Sequence, residues 1–299
     1  MTQRTTRCEH AELRVGDLAK ALDFYGNVMG LEEVGREDGR VYLSCAGTSR
    51  FDLAIVQKGA GIEHFGLLAR GPEHVDEVAA HLREHGVATA RVHDAEPGVQ
   101  EALQFTLPGG VHKMEFILIS PDGVRPESVE PPGDGKLRPL GIDHVNLKVA
   151  DVQGTAEFLR DVVGLRISDV GVRGEEWIRA WTRLADHHHE VGLGRRVDAE
   201  ETLSHLAFAM AGVAHIQVAL DIMAAAGFQI ETGIGRHRIG LGLYAYFREP
   251  GGNRFEWSVE SEIVDPKRPP GFYGDLDDTF SAWVAEAHKY LPSSFMRGS

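Results

Sequence analysis

Cysteine is scarce: Cys8 and Cys45 are the two in 299 residues, too few and too isolated for a disulfide framework or a thiolate metal site. Long apolar runs are missing, and no stretch approaches the ~18 to 20 residues that a membrane span needs. Basic charge is short too. The 31 Lys and Arg face 45 Asp and Glu, a net charge of −14, which argues against the broad basic surface that nucleic acid or anionic lipid demands. No glycine-rich phosphate fingerprint opens a strand-to-helix turn, so a nucleotide cofactor is not expected. Met1 to Glu9 carry charge and no apolar h-region, which makes the cytoplasm the expected compartment, with neither membrane nor nucleic acid as partner.

What the chain does have is histidine and a repeat. Its length suits one large domain or two ordinary ones, and 15 His and 35 Gly recur at regular positions. His10 opens His-Ala-Glu-Leu-Arg-Val, followed by Asp17, an apolar stripe of Leu18, Leu22, Tyr25 and Met29, and Gly30-Leu31. His144 opens His-Val-Asn-Leu-Lys-Val, followed by Asp151, a stripe of Val152, Ala156, Leu159 and Val163, and Gly164-Leu165. Each reads as an alternating strand, an Asp-capped helix, a glycine stop and a second strand. Within each half the theme returns: His64-Phe-Gly-Leu-Leu leads to a helix ending near Gly86, and His205-Leu-Ala-Phe-Ala to one ending near Gly227. A Pro-Gly-Gly turn and a closing strand follow each, with Glu115 and Glu256 both 51 residues after their histidines.

The pattern predicts an α+β fold: four βαβββ modules forming two curved-sheet, barrel-like halves with helices outside. The halves are expected at 1–119 and 140–262, joined by a Pro-rich linker at 120–139. A C-terminal extension at 263–299 shows Phe280, Trp283, Val284, Ala287 and Tyr290 at helical spacing, which predicts an amphipathic helix burying Trp283.

His144, His205 and Glu256 fall on three strands of the second half. Two imidazoles and one carboxylate on one face of a metal leave adjacent positions open, an arrangement suited to non-haem Fe(II). A lone strand histidine is more often structural, so context decides. The stretch Gly235-Arg236-His237, with Tyr246-Phe-Arg-Glu-Pro250-Gly-Gly252-Asn-Arg-Phe-Glu256, resembles the signature of the type I extradiol ring-cleavage dioxygenases of the vicinal oxygen chelate superfamily. Ala245 departs from it, standing where that family usually has a larger aliphatic residue.

The resemblance covers most of the chain and implies several roles. His144, His205 and Glu256 would hold Fe(II), or Mn(II) as in some members; His237 and Tyr246 would line the substrate side. His188-His189-Glu-Val-Gly-Leu193 is similar to the family stretch that carries the acid-base histidine, with His189 the better fit and His188 in reserve. The implied reaction is O2-dependent opening of a catechol next to its diol, an aryl- or alkyl-substituted catechol included. A homo-oligomer is expected. Two rivals share the fold: a glyoxalase-like isomerase, whose site usually recruits a further carboxylate, and a non-catalytic sequestering module. Asn146 reads equally as an orienting or a structural amide. Trp177 and Trp181 read as core more readily than as substrate walls. His74, His81, His85 and His215 read as helix residues, and His187 as solvent-facing.

The first half repeats the ligand pattern at His10, His64 and Glu115 but lacks counterparts of His237 and Tyr246, although His112 is close. The expectation there is a metal-free scaffold, its inherited ligands turned to structural use.

Overall fold

The computed structural model describes residues 8–45, 50–120, 136–274 and 280–283. The elements run β1 (Cys8–Val15), α1 (Leu18–Asp23), β2 (Glu32–Glu37), β3 (Arg40–Ser44), β4 (Leu53–Gln57), β5 (Gly61–Leu68), α2 (Pro72–Glu84), β6 (Thr89–Glu96), β7 (Val99–Thr106) and β8 (Lys113–Ile119). The second half repeats them as β9 (Gly141–Val149), α3 (Val152–Asp161), β10 (Arg166–Arg173), β11 (Glu176–Arg183), β12 (Val191–Arg195), β13 (Leu203–Ala209), α4 (Val213–Ala225), β14 (Ile230–Arg236), β15 (Leu243–Arg248) and β16 (Arg254–Val259). These are four βαβββ modules in an α+β fold.

Each half is one mixed sheet, ordered β2-β3-β4-β1-β5-β8-β7-β6 and β14-β15-β16-β13-β9-β12-β11-β10. The opening strands of the paired modules lie antiparallel at the centre, β1 on β5 and β9 on β13. Each opening strand is flanked on its other side by the parallel closing strand of its own module, β4 on β1 and β12 on β9. That order puts the histidines of β1 and β5, and of β9 and β13, on adjacent strands at the middle of each sheet.

Local chemistry sets the element ends. Asp17 accepts the Lys20 amide (3.1 Å) and Asp151 the Gly154 amide (2.9 Å), capping α1 and α3. After α1 the chain takes a π turn at Phe24–Val28 and stops at Gly30, whose φ of +74° side-chain-bearing residues rarely adopt. The π turn turns its rings toward the other half: Phe24 meets Phe228 (4.9 Å) and Phe247 (6.1 Å), and Tyr25 meets Phe255 (5.9 Å). One continuous core therefore spans both halves, with each fully buried Phe contributing about 2 kcal/mol. Polar bonds reinforce the junction: Asn253 Nδ2 donates to Arg14 O (2.8 Å) and Asn253 Oδ1 accepts the Gly61 amide (2.7 Å).

Some segments depart from expectation. The stretch after residue 262 adds β17 (Gly271–Tyr273), a parallel edge strand on β10. Phe280–Trp283 forms bends rather than a helix, and Trp283 is 58% exposed instead of buried. Three turns are needed to bury an amphipathic stripe, and here Trp283 instead lies under the Arg236 guanidinium. Val284, Ala287 and Tyr290 lie outside the described residues, as does most of the Pro-rich linker. Among the described residues no helix is long and apolar enough to cross a membrane.

Candidate active site

β9, β13 and β16 bring His144, His205 and Glu256 together beneath a cavity of about 130 Å3 in the C-terminal half. His144 Nε2 stands 3.2 Å from His205 Nε2 and 3.5 Å from Glu256 Oε2, and His205 Nε2 stands 3.1 Å from the same oxygen. Three donors about 2.2 Å from one ion and at right angles about it would lie about 3.1 Å apart. The triangle fits a divalent ion with open positions on the cavity side. The His144 Nδ1–H donates to Asp143 Oδ2 (2.9 Å), which turns the Nε2 lone pair inward. Residue types and placement both suit the group.

The electrostatics follow from burial with tight pairing. Burial alone would lower the His144 pKa, but hydrogen bonds to Asp143 and Glu256 outweigh it and push it up to about 9. For His205, burial wins and pulls the value down to about 4. Burial would raise the Glu256 carboxyl, yet hydrogen bonds from His144, His205 and His237 hold it well below the usual carboxylate range.

His189 lies in the loop between β11 and β12 and lines the same cavity, its ring 4.2 Å from that of His144. Burial, then the neighbouring imidazoles, hold its pKa well below 6.5, so the ring is neutral. His188 turns the other way. Its Nε2 is 2.7 Å from Asp169 Oδ2, and its Nδ1 is 2.9 Å from His189 Nδ1. Asp169 also takes a two-pronged contact from Arg268 (3.0 and 3.1 Å) and the Gly271 amide (3.0 Å), which anchors β17.

Opposite stand His237, just past β14, and Tyr246 on β15. The His237 Nδ1–H donates to Phe280 O (2.9 Å), and its Nε2 stands 3.1 Å from the Tyr246 hydroxyl and 3.6 Å from Glu256 Oε1. Tyr244 stacks on His237 (4.0 Å), and burial with the nearby Glu256 charge keeps the Tyr246 phenol protonated. Asn146 faces the cavity as well. Gly192 makes room for it, since a Cβ there would stand 2.6 Å from its amide nitrogen.

Trp181 lines the cavity rather than the core, whereas Trp177 packs on Phe272 and is not among the lining residues. Sequence reasoning did not single out Phe280, Lys148, Arg179 or Ile239, which also line it. Lys148 shares a face of β9 with His144 and Asn146, while the other three depend on which loops and strand faces meet, which no spacing reports. Asp143 was legible as the residue before His144 but gave no motif. His187 is half-buried and bridged to Ile263 rather than solvent-facing. His74 and His215 are buried at the starts of α2 and α4, where each Nδ1 accepts a backbone amide.

Against known proteins, the profile of the Glyoxalase/Bleomycin resistance protein/Dioxygenase superfamily matches residues 7–112 and 141–257. The chain belongs to that superfamily. It is similar to a manganese-dependent 2,3-dihydroxybiphenyl 1,2-dioxygenase of Geobacillus genomosp. 3, at 26% identity over 90% of each chain. It is also similar to a metapyrocatechase of Geobacillus stearothermophilus, at 24% identity over 97% of this chain and 92% of that one. Among solved structures, a homoprotocatechuate 2,3-dioxygenase variant from Brevibacterium fuscum superposes with a TM-score of 0.82 at 26% identity, covering 98% of this chain and 82% of that one. The 2,3-dioxygenase LapB from Pseudomonas sp. KL28 gives 0.79 at 25% identity, covering 90% and 97%. Within the superfamily the chain is an enzyme of the extradiol dioxygenase type.

Proposed function

We propose that the chain opens the ring of a catechol next to its diol with O2, using Fe(II) or Mn(II) held by His144, His205 and Glu256. The observation that carries this reading is the pairing of the open three-donor triangle with a neutral histidine and a Tyr–His pair in one cavity. The ion would bind both vicinal oxygens and bring diol and dioxygen to one centre, making their encounter intramolecular.

The chain's own groups do the rest. Asp169 accepts the His188 Nε2–H, which leaves His188 Nδ1 as an acceptor for the His189 Nδ1–H; the lone pair of His189 is then at Nε2. That tautomer makes His189 the base that takes a diol proton and, once protonated, an acid that returns it. Tyr246, its phenol kept protonated, would turn its one O–H to substrate oxygen, with His237 Nε2 3.1 Å from the same hydroxyl. Trp181 and Phe280 present flat walls to an aromatic ring, and Lys148 and Arg179 add positive charge that favours an ionised diol.

The single carboxylate among the three donors also bears on the isomerase reading. Beside the triangle stands His237, 3.6 Å from Glu256 Oε1, rather than a further carboxylate.

The test is oxygen uptake and visible absorbance after metal-free protein is reloaded anaerobically with ferrous iron or manganous ion and given catechol or 2,3-dihydroxybiphenyl in air. The expected result is rapid yellow colour from a ring-opened semialdehyde with one O2 consumed per ring. No uptake with either metal and either catechol would overturn the proposal. The two reloaded forms also separate iron from manganese.

A further inference from the structure

The N-terminal half holds a second converging cluster. His10 on β1, His64 on β5, Glu96 at the end of β6 and Glu115 on β8 bring four donor atoms within 4.8 Å of one another. His64 Nε2 is 3.3 Å from Glu96 Oε1; His10 Nε2 is 3.6 Å from Glu115 Oε2 and 3.8 Å from Glu96 Oε2. His10 and Glu115 are almost fully buried, at 1% and 3% exposed. Yet His10 Nε2, His64 Nε2, Glu96 Oε2 and Glu115 Oε2 have no hydrogen-bond partner. Four buried polar atoms facing one point without partners would cost several kcal/mol.

The remaining atoms of the same side chains are satisfied from behind. His64 Nδ1–H donates to Glu12 Oε2 (3.0 Å), and Glu12 is held by Arg40 (2.8 Å). Gln104 Nε2 donates to Glu115 Oε1 (2.7 Å). Such outer contacts fix tautomer and rotamer so that the inner atoms point at the centre, as they do for metal ligands.

We propose that this N-terminal cup is a closed site for a first-row divalent transition metal ion, held by His10 Nε2, His64 Nε2 and one oxygen each of Glu96 and Glu115. Four donors about 2.1 Å from a tetrahedral ion stand about 3.4 Å apart, and His64 Nε2 to Glu96 Oε1 (3.3 Å) and His10 Nε2 to Glu115 Oε2 (3.6 Å) lie near that edge. Two carboxylates cancel both charges of the ion, so the cup needs no outside anion. Two imidazoles favour a transition metal over Ca2+ or Mg2+, which prefer oxygen. With four protein donors, the ion serves structure rather than catalysis. The proposal reverses the expectation of a metal-free first half.

Glu96 is the residue that converts the pattern. It lies 32 residues after His64, as His237 lies 32 residues after His205. The same place in the repeat therefore supplies a carboxylate donor in one half and a hydrogen-bonding imidazole in the other.

The test is a zinc count on full-length protein stripped with chelator, incubated with excess Zn2+, passed through gel filtration and measured by mass spectrometry. The wild type is expected to keep two equivalents. His144→Ala with Glu256→Gln should keep one, His10→Ala with Glu115→Gln one, and the fourfold variant none. One equivalent in the wild type and none in the C-terminal variant would overturn the proposal, as would an undiminished count in the N-terminal variant. Should that N-terminal variant not fold, the C-terminal variant decides alone: its residual equivalent should be lost on adding Glu96→Gln, and Zn2+ should raise its melting temperature. Absence of both effects overturns the site.

Discussion

In the C-terminal half the His189 ring lies against His144, centroids 4.2 Å apart; in the N-terminal half the Phe51 ring lies against His10 at 4.7 Å. Strand register makes these the same place, because Leu53 pairs with Ala11 where Val191 pairs with Val145. The correspondence continues around the cup. Arg50, paired with buried Glu9 at 2.6 Å, occupies the place of His188. Glu12 stands where Asn146 stands, Glu96 where His237 stands, and Gln104, paired with Glu115, where Tyr246 pairs with Glu256. The His-His-Glu pattern is common to both halves. What differs is every group that could move a proton or meet a substrate. A donor set thus specifies only that an ion can be held, and the surrounding residues decide whether it is reachable and reactive.

The comparison breaks most sharply at the donors. Glu256→Gln should abolish C-terminal metal retention and lower ring cleavage by about three orders of magnitude or more, read by oxygen uptake; retained activity would move the chemistry elsewhere. Exchanging the ring at the shared place comes next. His189→Phe, which copies Phe51, should keep the metal but lower kcat by about 100- to 10,000-fold; an unchanged kcat would hand the proton to another group. Asp143→Asn removes the charge that holds the His144 Nδ1–H and should weaken metal binding by about 10- to 100-fold in an equilibrium titration. His237→Glu, which copies Glu96, should tighten Zn2+ binding while slowing cleavage by about 10-fold. Asp169→Asn, two rings away from the reaction, should have a smaller effect on kcat and shift the pH profile of kcat, because the His189 tautomer is no longer enforced.

The smallest effect is on stability. In the metal-free protein the His144 value of about 9 exceeds its unfolded value near 6.5. Its contribution is fully present below pH 6.5 and is lost as pH rises through about 9. Melting temperature of stripped wild type should therefore fall over that window, and the fall should shrink in His144→Ala.

Legibility in the sequence followed the repeat. Strand alternation, Asp caps and glycine stops recur in both halves, so four modules and their order could be read before any coordinates. The His144, His205 and Glu256 set came from its place in that repeat and from a contiguous signature near Glu256. Phe280 reaches the cavity from a distant segment, which local spacing does not encode, whereas Lys148 follows His144 and Asn146 on one face of β9 and could have been read from strand alternation. Of the stretch expected as a helix around Phe280, only Phe280–Trp283 are described, and they form bends. Glu96 escaped notice since it ends a largely exposed strand with no motif, and only strand closure brings it beside His10.

Phe280 is held by its carbonyl on His237 and supplies a wall of the cavity, yet it lies 24 residues after Glu256. During synthesis the three proposed donors emerge from the ribosome before that wall does. A nascent chain can therefore present the proposed triangle while that side of the cavity is still open to water, before the aromatic enclosure arrives.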